Sequence, residues 1–182
     1  MQKLRFSSVF WDFGGVITSS PFEAFSKFEI DNHLPKDFIR KVNSTNHKTN
    51  AWAKLEQSKI SLEEFDELFK EESKSLGYEV KGGEVLNLLQ GEVRPEMVRA
   101  LERLKLKNFK LACLTNNFNS GDKDLSALDD ANEERIKIMN NFDHIIESKE
   151  LGIRKPDLDF YIKALEITGA DPKETIFLDD LG

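Results

Sequence analysis

Ser7-Ser8-Val9-Phe10-Trp11-Asp12-Phe13-Gly14-Gly15 is the stretch from which the rest of the chain is read. A short apolar run that ends in Asp-Phe-Gly-Gly predicts a buried strand whose end must turn sharply. The same texture recurs much later. Residues 109–114 form a second strand-like run, closed by the turn former Asn116-Asn117, and short strands are predicted at 144–146 and at Thr175–Leu178. Between them, helical spacing is expected around 133–139 and over 157–168, and Pro95 sits as a first helical residue ahead of Met97, Val98, Leu101 and Leu104. Strands alternating with helices specify an α/β fold, a Rossmann-like parallel sheet with helices on both faces.

The interval from about residue 20 to 90 has a different pattern. Ser61-Leu62-Glu63-Glu64 is a capping box, and Phe65, Leu68 and Phe69 follow at helical spacing; Trp52 and Leu55 give the preceding segment a similar stripe. These apolar residues are expected to pack as the core of an all-helical unit rather than to line a pocket. The expected organisation is therefore a core of residues 1–17 and 93–182 with a helical cap, 18–92, inserted after the first strand.

Composition narrows the function classes. The 182 residues carry 26 basic and 33 acidic side chains, a formal charge of −7, which argues against nucleic acid or an anionic membrane surface as partner. With 39% hydrophobic residues and 14 Phe, the chain has apolar area for a sizeable core, and disorder throughout is excluded. The single cysteine, Cys113, lies inside the run Lys110-Leu111-Ala112-Cys113-Leu114 and reads as a small buried hydrophobe. No apolar run approaches the roughly 18 residues of a membrane helix, and the first residues lack a signal peptide's apolar centre, so a cytoplasmic location is expected. His33, His47 and His144 have no metal-ligand spacing, and the acidic residues of 122–134 read as a solvated loop and helix start.

In an open parallel sheet, ligands bind beyond the carboxyl ends of the strands. There this sequence is polar: Asp12 after the first strand, Thr115-Asn116-Asn117 after the second, Lys155 shortly after the third, and Asp179-Asp180 after the fourth. Three carboxylates converging on one edge repel unless a cation joins them, and oxygen donors without His or Cys suit Mg²⁺. A hydroxyl, a backbone N–H and an ammonium can hold the remaining phosphoryl oxygens. Together these groups describe a phosphoryl-transfer site with a carboxylate nucleophile.

At these residues the chain resembles the haloacid dehalogenase superfamily, from Val9 to its last residue. Asp12-Phe13-Gly14-Gly15-Val16, Leu114-Thr115-Asn116-Asn117, Arg154-Lys155-Pro156-Asp157 and Phe177-Leu178-Asp179-Asp180 look like its four motifs in order. The wording is closest to the branch with the amino-terminal phosphatase domain of soluble epoxide hydrolase and the amino-terminal domains of acyl-CoA dehydrogenase-like fusion proteins. The resemblance implies that Asp12 attacks phosphorus and that Mg²⁺ is bound by Asp12, the Gly14 carbonyl and Asp180, with Asp179 a more distant partner. It further implies that Thr115, the Asn116 N–H and Lys155 bind the phosphoryl group of a small phosphorylated metabolite, Lys155 also balancing the carboxylates.

Two departures modify this expectation. The family's phosphatases usually carry a second Asp two places after the nucleophile, as acid and then base; this chain has Gly14 there, and loss of such a group commonly costs about 10² to 10⁴ in rate. The superfamily's dehalogenases also lack that Asp and need no metal, but the pair Asp179-Asp180 argues for Mg²⁺ and phosphoryl chemistry. The family also continues with a helix and a strand after its fourth motif, whereas this sequence stops at Gly182. The expectation is a partial copy of a longer protein whose fourth strand is an exposed sheet edge. The leading reading is a Mg²⁺-dependent phosphatase. Its alternative is a weak or inactive module that binds a phosphorylated ligand; oligomeric state is left open.

Overall fold

Alternate residues of two adjacent strands face opposite sides of the sheet, and this alternation divides the core into two layers. The computed structural model describes residues 5–89, 91–118 and 129–181. Its sheet has four parallel strands, β1 (Ser8–Trp11), β2 (Lys110–Thr115), β3 (His144–Glu147) and β4 (Thr175–Leu178), in the order β3-β2-β1-β4. Val9, Trp11, Leu111 and Cys113 point to one face, where Leu101 and Ile138 pack on them; Phe10, Ala112 and Leu114 point to the other, against Phe160 and Ala164. Both faces are thus covered by helices, as parallel crossovers require. Helices α6 (Pro95–Leu106) and α7 (Asp129–Met139) supply the first cover, and α9 (Leu158–Thr168) the second.

Among the described residues five helices stand between β1 and α6: α1 (Pro21–Asp31), α2 (Phe38–Ser44), α3 (Ala51–Glu56), α4 (Leu62–Ser75) and α5 (Gly82–Asn87). They share an apolar cluster of their own in which Phe65 and Phe69 are fully buried and Trp52 meets Phe65 edge-on at 5.6 Å. The Ser61 cap forms as its sequence predicts. Ser61 Oγ accepts from Glu64 N at 3.2 Å, and Glu64 Oε2 accepts from Ser61 N at 2.8 Å. Buried Glu29 accepts from the backbone N–H groups of Asp37 (2.8 Å) and Ile39 (2.9 Å), supplying partners for the otherwise free amides at the start of α2.

The two connections to this helical insertion run side by side. Thr18 bridges Val93 in antiparallel fashion, Ser19 N donates to Glu92 O at 2.8 Å, and Arg94 N donates to Ile17 O at 2.8 Å. This ribbon leaves the sheet at its carboxyl edge and returns there, which seats the insertion over the strand ends.

The structure departs from the sequence expectations mainly at element ends. Strand β2 begins at Lys110 and includes Thr115; α7 begins at Asp129 rather than 133; α9 begins at Leu158, with Asp157 as its N-cap residue. The expected solvated stretch 122–134 lies partly outside the described residues. One helix was not anticipated, α8 (Ser148–Leu151), a single turn too short to give a periodic signal. Among the described residues β4 pairs only with β1, so it is an edge strand, and all four of its residues are half-buried. No helix of the described residues is long and apolar enough to cross a membrane.

Cys113 is completely enclosed in the middle of β2, and burial pushes its thiol far above the ordinary range. The thiolate is the reactive form. The native protein is therefore expected to give no reaction with an aromatic disulfide reagent at pH 8, and one thiol per chain once denaturant is added.

Candidate active site

Parallel pairing of β1 with β4 brings the two ends of the sequence together. Trp11 is in register with Leu178, and Asp12 N continues the ladder by donating to Leu178 O at 2.8 Å. Asp12 and Asp179 consequently leave neighbouring strands at the same level. Lys155 Nζ lies between them, 2.7 Å from Asp12 Oδ2 and 2.9 Å from Asp179 Oδ2. The Lys155 side chain is only 8% exposed, so its charge depends on these two carboxylates in place of water. Its ammonium also stands 5.4 Å from the centre of the Phe177 ring.

Asp180 closes the group. One oxygen each from Asp12, Asp179 and Asp180 can be chosen so that all lie within 4.8 Å of one another. The loop after β1 makes room for it: Gly15 has φ +79°, and a Cβ there would stand 2.1 Å from Asp180 Oδ2. Only glycine meets both demands. Arg94 Nη1 donates to Gly15 O at 3.2 Å, and Ser20 Oγ donates to Asp180 Oδ2 at 2.9 Å, so both of the insertion's connections touch this loop or its carboxylate.

Three carboxylates facing one ammonium leave an excess of negative charge in a partly desolvated place. Burial pushes the Asp12 carboxyl above its ordinary value. The Lys155 charge and hydrogen bond oppose that, the Asp179 charge adds to it, and the Phe13 N–H, 2.7 Å from Asp12 Oδ1, opposes it. All three side chains offer only hard oxygen donors at spacing suited to a shared ion, so the donor set fits Mg²⁺.

The end of β2 supplies the other side of the site. Thr115 is nearly buried, and its Oγ1 lies 3.5 Å from Asn116 O. The Asn116 side chain clasps the backbone of Lys155: Oδ1 accepts from Lys155 N at 2.9 Å and Nδ2 donates to Lys155 O at 3.0 Å. Asn117 is anchored in turn on β3 and α8, donating through Nδ2 to Glu147 Oε1 at 2.7 Å and through N to Ser148 Oγ at 3.0 Å. The structure thus brings Asp12, Asp179, Asp180 and Lys155 into one cluster and links Asn116 to it through Lys155. Gly14 occupies the second place after Asp12, with open space where a Cβ would be.

A haloacid dehalogenase-like hydrolase family matches residues 6–181. The chain belongs to that family. It is distantly homologous to mouse acyl-CoA dehydrogenase family member 10, 31% identical over 97% of this chain and 16% of the relative, and to mouse bifunctional epoxide hydrolase 2, 28% identical over 87% and 30%. The chain therefore spans less than a third of either relative. A family enzyme from Bacteroides thetaiotaomicron, solved in complex with magnesium and inorganic phosphate, shares the fold at a TM-score of 0.58 and 19% identity, over 96% of this chain and 85% of that one.

Two residues of the site region escaped the sequence reading. Ser20 marks the start of the segment with helical patterning, and Glu56 of α3 belongs to no motif in the sequence. Their approach to the core depends on how the insertion folds back, which periodicity does not report.

Both opposing influences of Lys155 on Asp12 vanish in Lys155→Met, leaving burial and Asp179 to raise the carboxyl further. The folded state then keeps a proton that the unfolded chain releases above about pH 3.9, so stability falls as pH rises through that interval. In EDTA, the deficit of Lys155→Met relative to wild type in thermal melts is expected to grow as pH rises toward 8, where loss of the buried partner costs about 3 to 5 kcal/mol.

Proposed function

We propose that this chain is a Mg²⁺-dependent phosphatase that hydrolyses a small phosphate monoester through an aspartyl-phosphate on Asp12. The observation that carries the reading is the Lys155 ammonium bridging Asp12 and Asp179, with an Asp180 oxygen within the same 4.8 Å group, at the carboxyl edge of a parallel sheet. That a relative of the same fold holds magnesium and phosphate supports it.

Asp12, the main-chain carbonyl of Gly14 and Asp180 would hold Mg²⁺, with Asp179 beside them; bound there, the ion offsets carboxylate charge and polarises phosphoryl oxygens. A carboxylate oxygen of Asp12 attacks phosphorus, the ester P–O bond breaks, and the leaving alkoxide takes a proton from a water molecule, since Gly14 offers none. Water then attacks the same phosphorus, releasing phosphate and restoring the Asp12 carboxylate. Lys155 opposes the effect of burial on Asp12 and so favours its carboxylate form, and, with the Thr115 hydroxyl and the Asn116 N–H, holds the phosphoryl oxygens as their charge shifts. The helical insertion over the strand ends excludes bulk water and selects the alcohol.

Gly14 bears on the rate. It has no proton to give the leaving group, so turnover is expected about 10² to 10⁴ below that of a site with a positioned acid. This favours a second reading, a module that binds a phosphorylated ligand and turns it over poorly. The space beside Gly14 admits a side chain, and its φ lies outside the left-handed region.

Phosphate release from para-nitrophenyl phosphate is expected to require Mg²⁺, to vanish in Asp12→Asn and to rise in Gly14→Asp. No release across a broad substrate panel, with Asp12→Asn indistinguishable from wild type, rejects the phosphatase. Tight binding of inorganic phosphate without turnover selects the binding module.

A further inference from the structure

Glu56 is the last residue of α3, where the helix dipole disfavours an anion, and it is 8% exposed, where an unpaired carboxylate is costly. Within α3 it meets the neutral indole of Trp52, which supplies no countercharge. Its partners lie largely across the seam. Oε2 pairs with Arg154 Nη1 and accepts from Asn116 Nδ2 at 3.3 Å, while Oε1 accepts from Trp52 Nε1 at 3.0 Å. Arg154 in turn donates through Nη2 to His47 O at 3.2 Å, and its side chain, like that of Glu56, is 11% exposed. One ion pair between helical insertion and sheet is therefore buried on both sides and tied to two further insertion residues.

The two core groups that receive Glu56 are the ones that fix Lys155. Arg154 is its neighbour in the chain, and Asn116 holds both its backbone N–H and its carbonyl. Beyond them Lys155 Nζ reaches Asp12 and Asp179. Removing the carboxylate leaves the Arg154 cation buried without its ion pair, and frees Asn116 from one of its three contacts. We propose that Glu56 is a positioning residue: docking its carboxylate on Arg154 and Asn116 seats the helical insertion on the sheet and fixes Lys155 at the phosphoryl site. The kinetic part of this inference rests on the phosphatase reading; the seating part does not.

The test uses Glu56→Gln, which keeps the side chain's shape without its charge, Arg154→Gln from the opposite side, and the double variant. Three quantities are read: kcat/KM on para-nitrophenyl phosphate with Mg²⁺, affinity for inorganic phosphate with Mg²⁺, and hydrogen exchange of the connecting ribbon, residues 17–20 and 91–94. Each single variant is expected to lose about 10- to 100-fold in kcat/KM, mostly in kcat, the size expected when a reacting group is misplaced by about 1 Å. The double variant is expected to lose no more than the worse single one, and ribbon exchange to quicken in all three. A purely structural role lowers the melting temperature but leaves ribbon exchange and kcat/KM within twofold of wild type, and that result overturns the proposal. Losses that multiply in the double variant overturn it too. If Glu56→Gln does not fold, Arg154→Gln carries the same readings. If wild type shows no turnover, the phosphatase reading fails separately. Faster ribbon exchange with weaker phosphate binding then supports the coupling, and unchanged values reject it.

Discussion

The concentration of charge at one edge of the sheet is the constraint on which the rest of the molecule depends. Asp12, Asp179 and Asp180 converge where β1 and β4 end, and the ammonium of Lys155 stands between the first two. Such a cluster persists only if its surroundings hold it. Gly15 turns the chain away to admit the Asp180 carboxylate, the Phe13 amide satisfies one Asp12 oxygen, and Asn116 fixes the backbone of the lysine. Each device spends a local element on keeping like charges together, and the result is a set of oxygen donors that fits a cation.

Much of this was legible in the sequence because it depends on short, local signals. A buried strand that ends in Asp-Phe-Gly-Gly, repeated apolar runs that end in polar residues, and Pro95 at a helix start are properties of a few neighbouring residues. The parallel sheet with its helical insertion follows from their order. Resemblance to a known family then implies roles for Asp12, Thr115, Asn116, Lys155 and Asp180 that spacing alone does not give. What the sequence did not show is of two kinds. A one-turn helix such as α8 has no period to detect, and the boundaries of α7 and α9 move by residues that suit a cap as well as a first turn. Glu56 is the more instructive miss. It lies on a helix rich in ordinary features, and only tertiary folding carries it to Arg154, 98 residues away.

The insertion and the sheet have separate apolar cores, yet they are joined at several points. Phe118, just beyond β2, packs against the insertion's cluster; Ser20 reaches Asp180; Glu56 reaches Arg154 and Asn116. Two of these joints end on groups at the charged edge or on the residues that brace it. The helices and the charged edge are thus joined by direct contacts.

The register that places Asp12 beside Asp179 also governs the order in which the molecule can be assembled. The hydrogen bond from Asp12 N to Leu178 O joins groups separated by nearly the whole chain, whereas the α3, α4 and α5 contacts of the insertion lie close in sequence. Closing long loops is slow, and local helical contacts form early. During synthesis the helical insertion can condense while β1 still lacks its neighbour β4. The acidic cluster is complete only after residue 180 has left the ribosome. Until then Asp12 lacks its neighbours Asp179 and Asp180, and the cluster forms only when β4 joins β1.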